Sequence, residues 1–195
     1  MTDGLARCWW SAADARPDPR MVAYHDDEWG VPTHDDIELF ERLALESFQA
    51  GLSWSTILYK RPAFREAFRG FDPRVVSGFD DSDRARLMAD AGIVRNRAKI
   101  DATIGNAAAL LATAAEFGSF DAYLGSMVPG PPARLAATAT HADVPATTPV
   151  SDALSKDLKR RGFRFVGSTI VYAYMQSVGL VDDHVPGCFR YGVTR

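Results

Sequence analysis

Two cysteines and two histidines stand at opposite ends of this chain, and together they restrict how it can fold. Cys8 and His25 lie near the start of the 195 residues, and His184-Val185-Pro186-Gly187-Cys188 lies near the end. Thiolate and imidazole suit a tetrahedral zinc, and a His-x3-Cys spacing lets two ligands face one ion from a single tight turn. An ion shared by all four would close the chain by joining its ends. The plainer alternative makes each cysteine a small buried hydrophobe and each histidine a hydrogen-bonded core group, which is the better reading for any one of them alone. That alternative has to explain why both cysteines and two of the four histidines fall in the terminal regions, so the metal reading is favoured. Four protein ligands leave no position for water, which argues for one structural Zn2+ over a catalytic one. A single pair of cysteines cannot form a disulfide framework.

Between those ends the sequence reads as helices. Thr33-His34-Asp35-Asp36 has capping-box spacing, and Ile37, Phe40, Ala44, Phe48 and Gly51 follow at helical intervals, which places Glu46 on the final turns beside an apolar face. A second helix from Trp54 is expected to be cut at Pro62. Asp72-Pro73 starts a short helix, Asp80-Asp81-Ser82-Asp83 opens another that stops at Gly92, and Val94 to Glu116 reads as a long one. The order there is helix, tight hairpin, helix. Gly125 to Pro149 holds most of the remaining prolines and reads as a long connection. Helices over Ser151–Arg161 and about Ser168–Val178 follow, with Gly162 and Gly179 as stops. No stretch alternates with period two between hairpin turns, so the fold class is all-α. The chain is expected to act as one unit, residues 1–195. A helical hairpin core spans about 33–124, a connection about 125–149, and the segment 150–195 packs with 1–32.

With 22 Lys plus Arg against 25 Asp plus Glu, the net charge is −3, so an anionic partner has to be met by a local patch. The run from Met1 to Arg7 has no basic region followed by an apolar stretch, and the longest uncharged apolar run, Val166 to Val181, is short of a membrane span. A soluble, cytoplasmic monomer with no membrane partner is the expectation.

Two further groups carry chemistry. Trp10, Tyr24, Trp29 and Trp54 form an aromatic set with Glu46 between two of them in sequence, and aromatic faces beside a carboxylate suit a flipped nucleobase with an amino-bearing or cationic edge. Most tryptophans in a small domain are core residues, and on composition alone that reading leads. The hairpin around Gly92 brings backbone N–H groups to a helix start, and Arg95, Arg97 and Lys99 add charge suited to a DNA phosphate. A glycine after a helix is usually only a cap. Lys156, Lys159, Arg160, Arg161 and Arg164 form a second basic run, a type that is more often a solvated face.

The blocks Tyr24-His25-Asp26-Asp27-Glu28-Trp29-Gly30-Val31-Pro32, Glu46-Ser47-Phe48-Gln49-Ala50-Gly51-Leu52-Ser53-Trp54, Ser151-Asp152-Ala153-Leu154-Ser155, Lys159-Arg160-Arg161-Gly162-Phe163-Arg164-Phe165-Val166-Gly167 and Asp183-His184-Val185-Pro186-Gly187-Cys188 occur in that order. Together they resemble the DNA-3-methyladenine glycosylase I family from about Arg7 to Tyr191. The resemblance implies a helix-hairpin-helix glycosylase fold and excision of 3-methyladenine from alkylated double-stranded DNA by water, leaving an abasic site. It further implies a structural zinc on Cys8, His25, His184 and Cys188. Tyr24 and Trp54 would stack on the lesion, Glu46 would bond its edge and act in catalysis, and Trp10 and Trp29 would form walls. The hairpin Asp90 to Lys99 would grip the DNA backbone through Gly92, Arg95, Arg97 and Lys99. The alternative carried beside this reading is a non-catalytic, zinc-stapled DNA-binding module.

Overall fold

The computed structural model describes residues 4–12 and 17–193, and Met1 to Asp3, read above for a leader, lie outside the described residues. The described residues form ten α-helices: α1 (Trp9–Ala12), α2 (Pro19–Asp27), α3 (Asp36–Gln49), α4 (Trp54–Ala67), α5 (Pro73–Val76), α6 (Asp81–Ala89), α7 (Arg97–Phe117), α8 (Phe120–Met127), α9 (Pro149–Arg160) and α10 (Ser168–Ser177). One small addition to the all-α expectation is a two-residue parallel pairing of β1 (Ala133–Arg134) with β2 (Val181–Asp182).

Side-chain caps set most helix starts. Asp72 and Asp80 cap α5 and α6 as their positions predict, and Asp80 forms a full capping box with Asp83. The cap of α3 lies two residues later than expected, at Asp35. Asp35 accepts from two amides, Ile37 N–H at 2.9 Å and Glu38 N–H at 3.0 Å, while the Thr33 hydroxyl donates to the Glu38 carboxylate. The long helix α7 likewise begins at Arg97, because Asn96 caps it by accepting from Lys99 N–H.

Pro62 does not cut α4, which runs on to Ala67. The proline faces solvent, where the helix loses a single backbone bond. The turns beyond it bury Phe64, Ala67 and Phe68 in an aromatic cluster, with Phe64 4.7 Å from Phe48. Helix α8 was not expected. Its first amides, those of Phe120 and Asp121, donate to the Asp36 carboxylate at 3.0 Å each, a partner more than eighty residues away.

Helix α3 forms the centre of the molecule. Every residue from Leu39 to Phe48 is buried, and α4, α7, α8 and α10 pack around it. Four of those residues, Glu41, Arg42, Glu46 and Ser47, are polar or charged, which is unusual for a core helix and calls for partners or a function. The chain ends meet beside this core, where Phe189 N–H donates to the Ala6 carbonyl at 2.8 Å. Gly179 ends α10 with φ +75°, and a Cβ there would lie 2.6 Å from Pro32 N, so only glycine fits. No described helix is long and apolar enough to cross a membrane.

Candidate functional site

The four terminal Cys and His residues come together. Cys8, His25, His184 and Cys188 are all buried, and one ligand atom from each lies within 4.8 Å of the others. Cys188 Sγ is 3.4 Å from His25 Nε2 and 3.7 Å from His184 Nδ1, and Cys8 Sγ is 3.6 Å from His184 Nδ1. Sulfur and nitrogen sit about 3.5 Å apart across a tetrahedral zinc with ordinary bond lengths, so the donor set has the right size as well as the right chemistry.

The outer partners orient both rings. His25 Nδ1 lies 2.8 Å from the Asp26 carboxylate, which puts the ring proton there and leaves Nε2 facing the sulfurs. Against the cost of its burial, Arg7 and His25 hold the Asp26 carboxyl below its usual range. The His184 ring uses Nε2 on the Trp29 carbonyl at 3.3 Å and turns Nδ1 inward. The Cys188 thiol is pulled well below its ordinary value, first by the hydrogen bond from Cys8 and then by those from His184 and His25. This arrangement is a buried Cys2His2 group able to hold a metal ion.

The aromatic residues extend directly from it. Tyr24 follows one residue before His25 on α2, and its ring lies 5.0 Å from that of Trp54, the first residue of α4. Trp29 packs edge-on against His184 at 4.7 Å and against Trp10 at 5.0 Å. Tyr24, Trp29, Leu58, Cys8 and Cys188 form one buried cluster, with Trp10 and Trp54 partly buried against it. The metal-ligand group and the aromatic wall are therefore one packed unit.

Two adjoining hollows lie along α10, and the second is lined by members of this unit. Glu46 lines the first, about 230 Å³, with Gln49, Leu52 and the α10 residues Thr169 and Ala173. Trp10, Trp29, Tyr172 and Gln176 line the second, about 240 Å³, which shares Thr169 and Ala173 with the first. Glu46 is 5% exposed, and its carboxyl makes no hydrogen bond among the described residues. Burial pushes its carboxyl up to about 8, and only Arg42 opposes that push. The Tyr24 hydroxyl also makes no hydrogen bond among the described residues, and the buried indole N–H of Trp54 has no partner there either. A buried donor left unpaired, as the Trp54 indole N–H is, costs about 1–3 kcal/mol, which is a costly arrangement for a purely structural core.

The hairpin needs correction in two places. Lys99 is turned inward and 6% exposed, and its ammonium donates to the carbonyls of Phe48 at 2.8 Å and Ala50 at 2.7 Å. It thus satisfies orphan carbonyls at the end of α3 and is not free to hold a phosphate, and burial pulls its pKa below the usual lysine range. The Gly92 amide is likewise taken, donating to Asp90 Oδ1 at 2.7 Å. The close approach that this glycine permits is to α4, since a Cβ would lie 2.9 Å from that of Ala63. Arg95 and Arg97 are exposed, the latter beside Asp101 at 3.3 Å. Of the second basic run, Arg160 and Arg161 pair with Asp157, and Arg161 also pairs with Glu116.

Several residues of the site had no sequence signal. Thr169 and Ala173 line both hollows only because α10 packs on α3, and Lys60 steadies the hairpin by donating to the carbonyls of Ala91 and Gly92. Asp26 was readable in principle, as a carboxylate next to a ligand histidine.

Comparison with known proteins gives a consistent result. The family model for methyladenine glycosylase matches residues 12–191. The chain is 49% identical over 187 residues to DNA-3-methyladenine glycosylase 1 of Escherichia coli strain K12, covering 96% of this chain and 97% of that protein. Its fold matches a crystal structure of 3-methyladenine DNA glycosylase I with a TM-score of 0.89 at 47% identity, over 95% of this chain and 100% of that one. A structure of the Staphylococcus aureus 3-methyladenine DNA glycosylase I, described in terms of 3-methyladenine recognition, matches with a TM-score of 0.90 at 37% identity, over 97% of this chain and 100% of that one.

Proposed function

The chain belongs to the methyladenine glycosylase family, and on that footing we propose that it is a DNA repair glycosylase that flips 3-methyladenine out of alkylated double-stranded DNA and hydrolyses its glycosidic bond. The reading rests on one observation in particular. Glu46, Tyr24 and Trp54 each offer a polar group with no hydrogen-bond partner among the described residues; Tyr24 and Trp54 belong to one packed aromatic unit, and Glu46 lies close enough for its charge to act on the Tyr24 phenol.

The chemistry follows from the leaving group. Adenine methylated at N3 is cationic in the nucleotide, so its bond to the sugar is already weak and the base departs neutral without strong acid catalysis. The protein therefore needs chiefly to extrude the nucleotide, at a cost of a few kcal/mol, and to select the lesion in a partly desolvated pocket. Tyr24 and Trp54 stack on the base, Glu46 bonds its edge and favours positive charge on the sugar as it develops, and Trp10 and Trp29 form the walls. No lysine reaches the pocket as a nucleophile, and water completes the reaction to leave an abasic site. Arg95 and Arg97, on a helix-hairpin-helix element formed by α6 and α7, meet the DNA backbone.

Cys8, His25, His184 and Cys188 would hold one Zn2+, and the ion would supply structural cross-linking of the chain ends with no open coordination position. The chain works as a single unit and as a monomer, in the compartment that holds its DNA.

Incubation with methylated duplex followed by chromatography of released bases tests the reading. Free 3-methyladenine with intact strands supports it. DNA binding with no released base would favour the non-catalytic module.

A further inference from the structure

Arg42 is a buried cation for which the site described above has no use. It lies on α3 one helical turn before Glu46 and is 8% exposed. Its Nη1 donates to the carbonyl of Glu28, just past the end of α2, at 3.1 Å, and to the carbonyl of Ser177, the last residue of α10. Among the described residues the carboxylate that comes within 4.0 Å of it is that of Glu38, which is largely exposed to solvent. Arg61 provides the contrast within the same core, because Glu41 and Glu28 each bond it at 2.6 Å and neutralise its charge.

A guanidinium held by two carbonyl dipoles and no close carboxylate is an expensive way to pack three helices. Apolar side chains of similar volume would join them at lower cost, since desolvating an ion takes several kcal/mol. The charge itself therefore needs a role, and its surroundings supply one. The two elements it ties to α3 carry the aromatic unit and the hollow beside Glu46, through Tyr24 on α2 and Thr169 with Ala173 on α10. The ionisable groups around Glu46 are few. On α3 there is Arg42, from α2 the Tyr24 phenol lies within reach of its charge, and from α7 Lys99 is bound to the Phe48 and Ala50 carbonyls. The α10 face of the hollow presents Thr169, Ile170 and Ala173, none of which ionises.

We propose that Arg42 is a positioning residue for base excision: it fastens α2, which carries Tyr24, and the α10 wall of the pocket to α3 and keeps a positive charge one turn from Glu46, so that the carboxylate costs less to form when a cationic base arrives. The proposal rests on the glycosylase reading. The field of Arg42 works against the burial that disfavours the Glu46 carboxylate.

The test is single-turnover release of 3-methyladenine from methylated duplex, followed from pH 5 to 9.5, for the wild type and for Arg42→Gln, Arg42→Lys and Glu46→Gln. Arg42→Gln should move the acidic limb of the rate profile up by about one pH unit and slow release about tenfold at pH 7, with recovery above pH 9. Arg42→Lys, which keeps the charge, should leave the limb in place. Glu46→Gln should lack the limb. If Arg42→Gln does not fold, Arg42→Met keeps the buried volume and carries the same expectation. A limb unmoved in a folded, uncharged variant, with any loss of rate equal at every pH, would overturn the proposal and leave Arg42 a structural clasp. Failure of the wild type to release base would instead overturn the glycosylase reading.

Discussion

Tyr24 and His25, joined by one peptide bond on α2, serve two different centres: His25 Nε2 lies 3.4 Å from Cys188 Sγ, while the Tyr24 ring lies 5.0 Å from Trp54. Loosening of the ligand group reaches the stacking surface through that bond and through the packing the two centres share. Metal analysis of the purified protein should find one zinc per chain. Cys188→Ser should reduce the metal content and lower stability by about 3–5 kcal/mol, or roughly 10 °C in melting temperature for a chain of this size. Affinity for free 3-methyladenine should fall with it, although residue 188 lines neither hollow. Full base affinity in a metal-free protein would separate the two centres.

Glu46 makes stability depend on pH in an unusual direction. Its folded-state pKa of about 8 lies above the ordinary carboxyl value of 4.5, so between those limits the folded chain binds the extra proton. The contribution of the neutral carboxyl is fully present below pH 4.5 and is lost as pH rises through 8, where the buried group must ionise. Glu46→Gln should therefore be more stable than the wild type at pH 8.5, on the order of 2–4 kcal/mol, with the gap closing near pH 5. Urea unfolding at the two pH values measures it. The same variant should excise 3-methyladenine at least about tenfold more slowly, a loss typical of removing one charge-stabilising group.

The readable parts of this molecule were those whose physics is local or chemically scarce. Asp72-Pro73 and Asp80 cap helices with atoms two or three residues away, and the structure has both. The Cys2His2 group was readable across 180 residues because the chain has so few candidates for it. Where a distant partner decides, the sequence was silent or misleading. Helix α8 depends on Asp36, Pro62 is tolerated because the Phe64 side of α4 is buried, and Lys99 looks like a DNA contact until the carbonyls at the end of α3 are in place. Arg42 belongs to the same class, since its partners Glu28 and Ser177 lie on two other parts of the chain.

The basic residues of the hairpin should divide into two kinds when mutated. Arg95→Ala and Arg97→Ala should each weaken DNA binding regardless of sequence and flatten the salt dependence by about one unit of slope. Lys99→Met leaves the Phe48 and Ala50 carbonyls unpaired, so it should cost about 2–3 kcal/mol of stability with little change in salt dependence. Fluorescence anisotropy with a short duplex across a salt series, beside thermal melts, distinguishes them. A reduced salt slope for Lys99→Met would mean that the ammonium leaves its carbonyls for the DNA.

Trp54 carries a buried indole N–H with no hydrogen-bond partner among the described residues, and its ring lies 5.0 Å from that of Tyr24. An unpaired buried donor lowers stability, so a protein that keeps one needs a use for it. Trp54→Phe removes the donor and retains an aromatic face at the start of α4. If the indole serves only packing, the loss of ring area should lower both stability and base affinity. If it serves the base, melting temperature should stay level or rise as the penalty is relieved, while affinity for 3-methyladenine falls about fivefold to tenfold, the equivalent of about 1–1.4 kcal/mol. Thermal melts and equilibrium titration on the same preparation decide between these outcomes. The second is the expected one, because the indole N–H is buried without a partner among the described residues and its ring packs in the same unit as Tyr24.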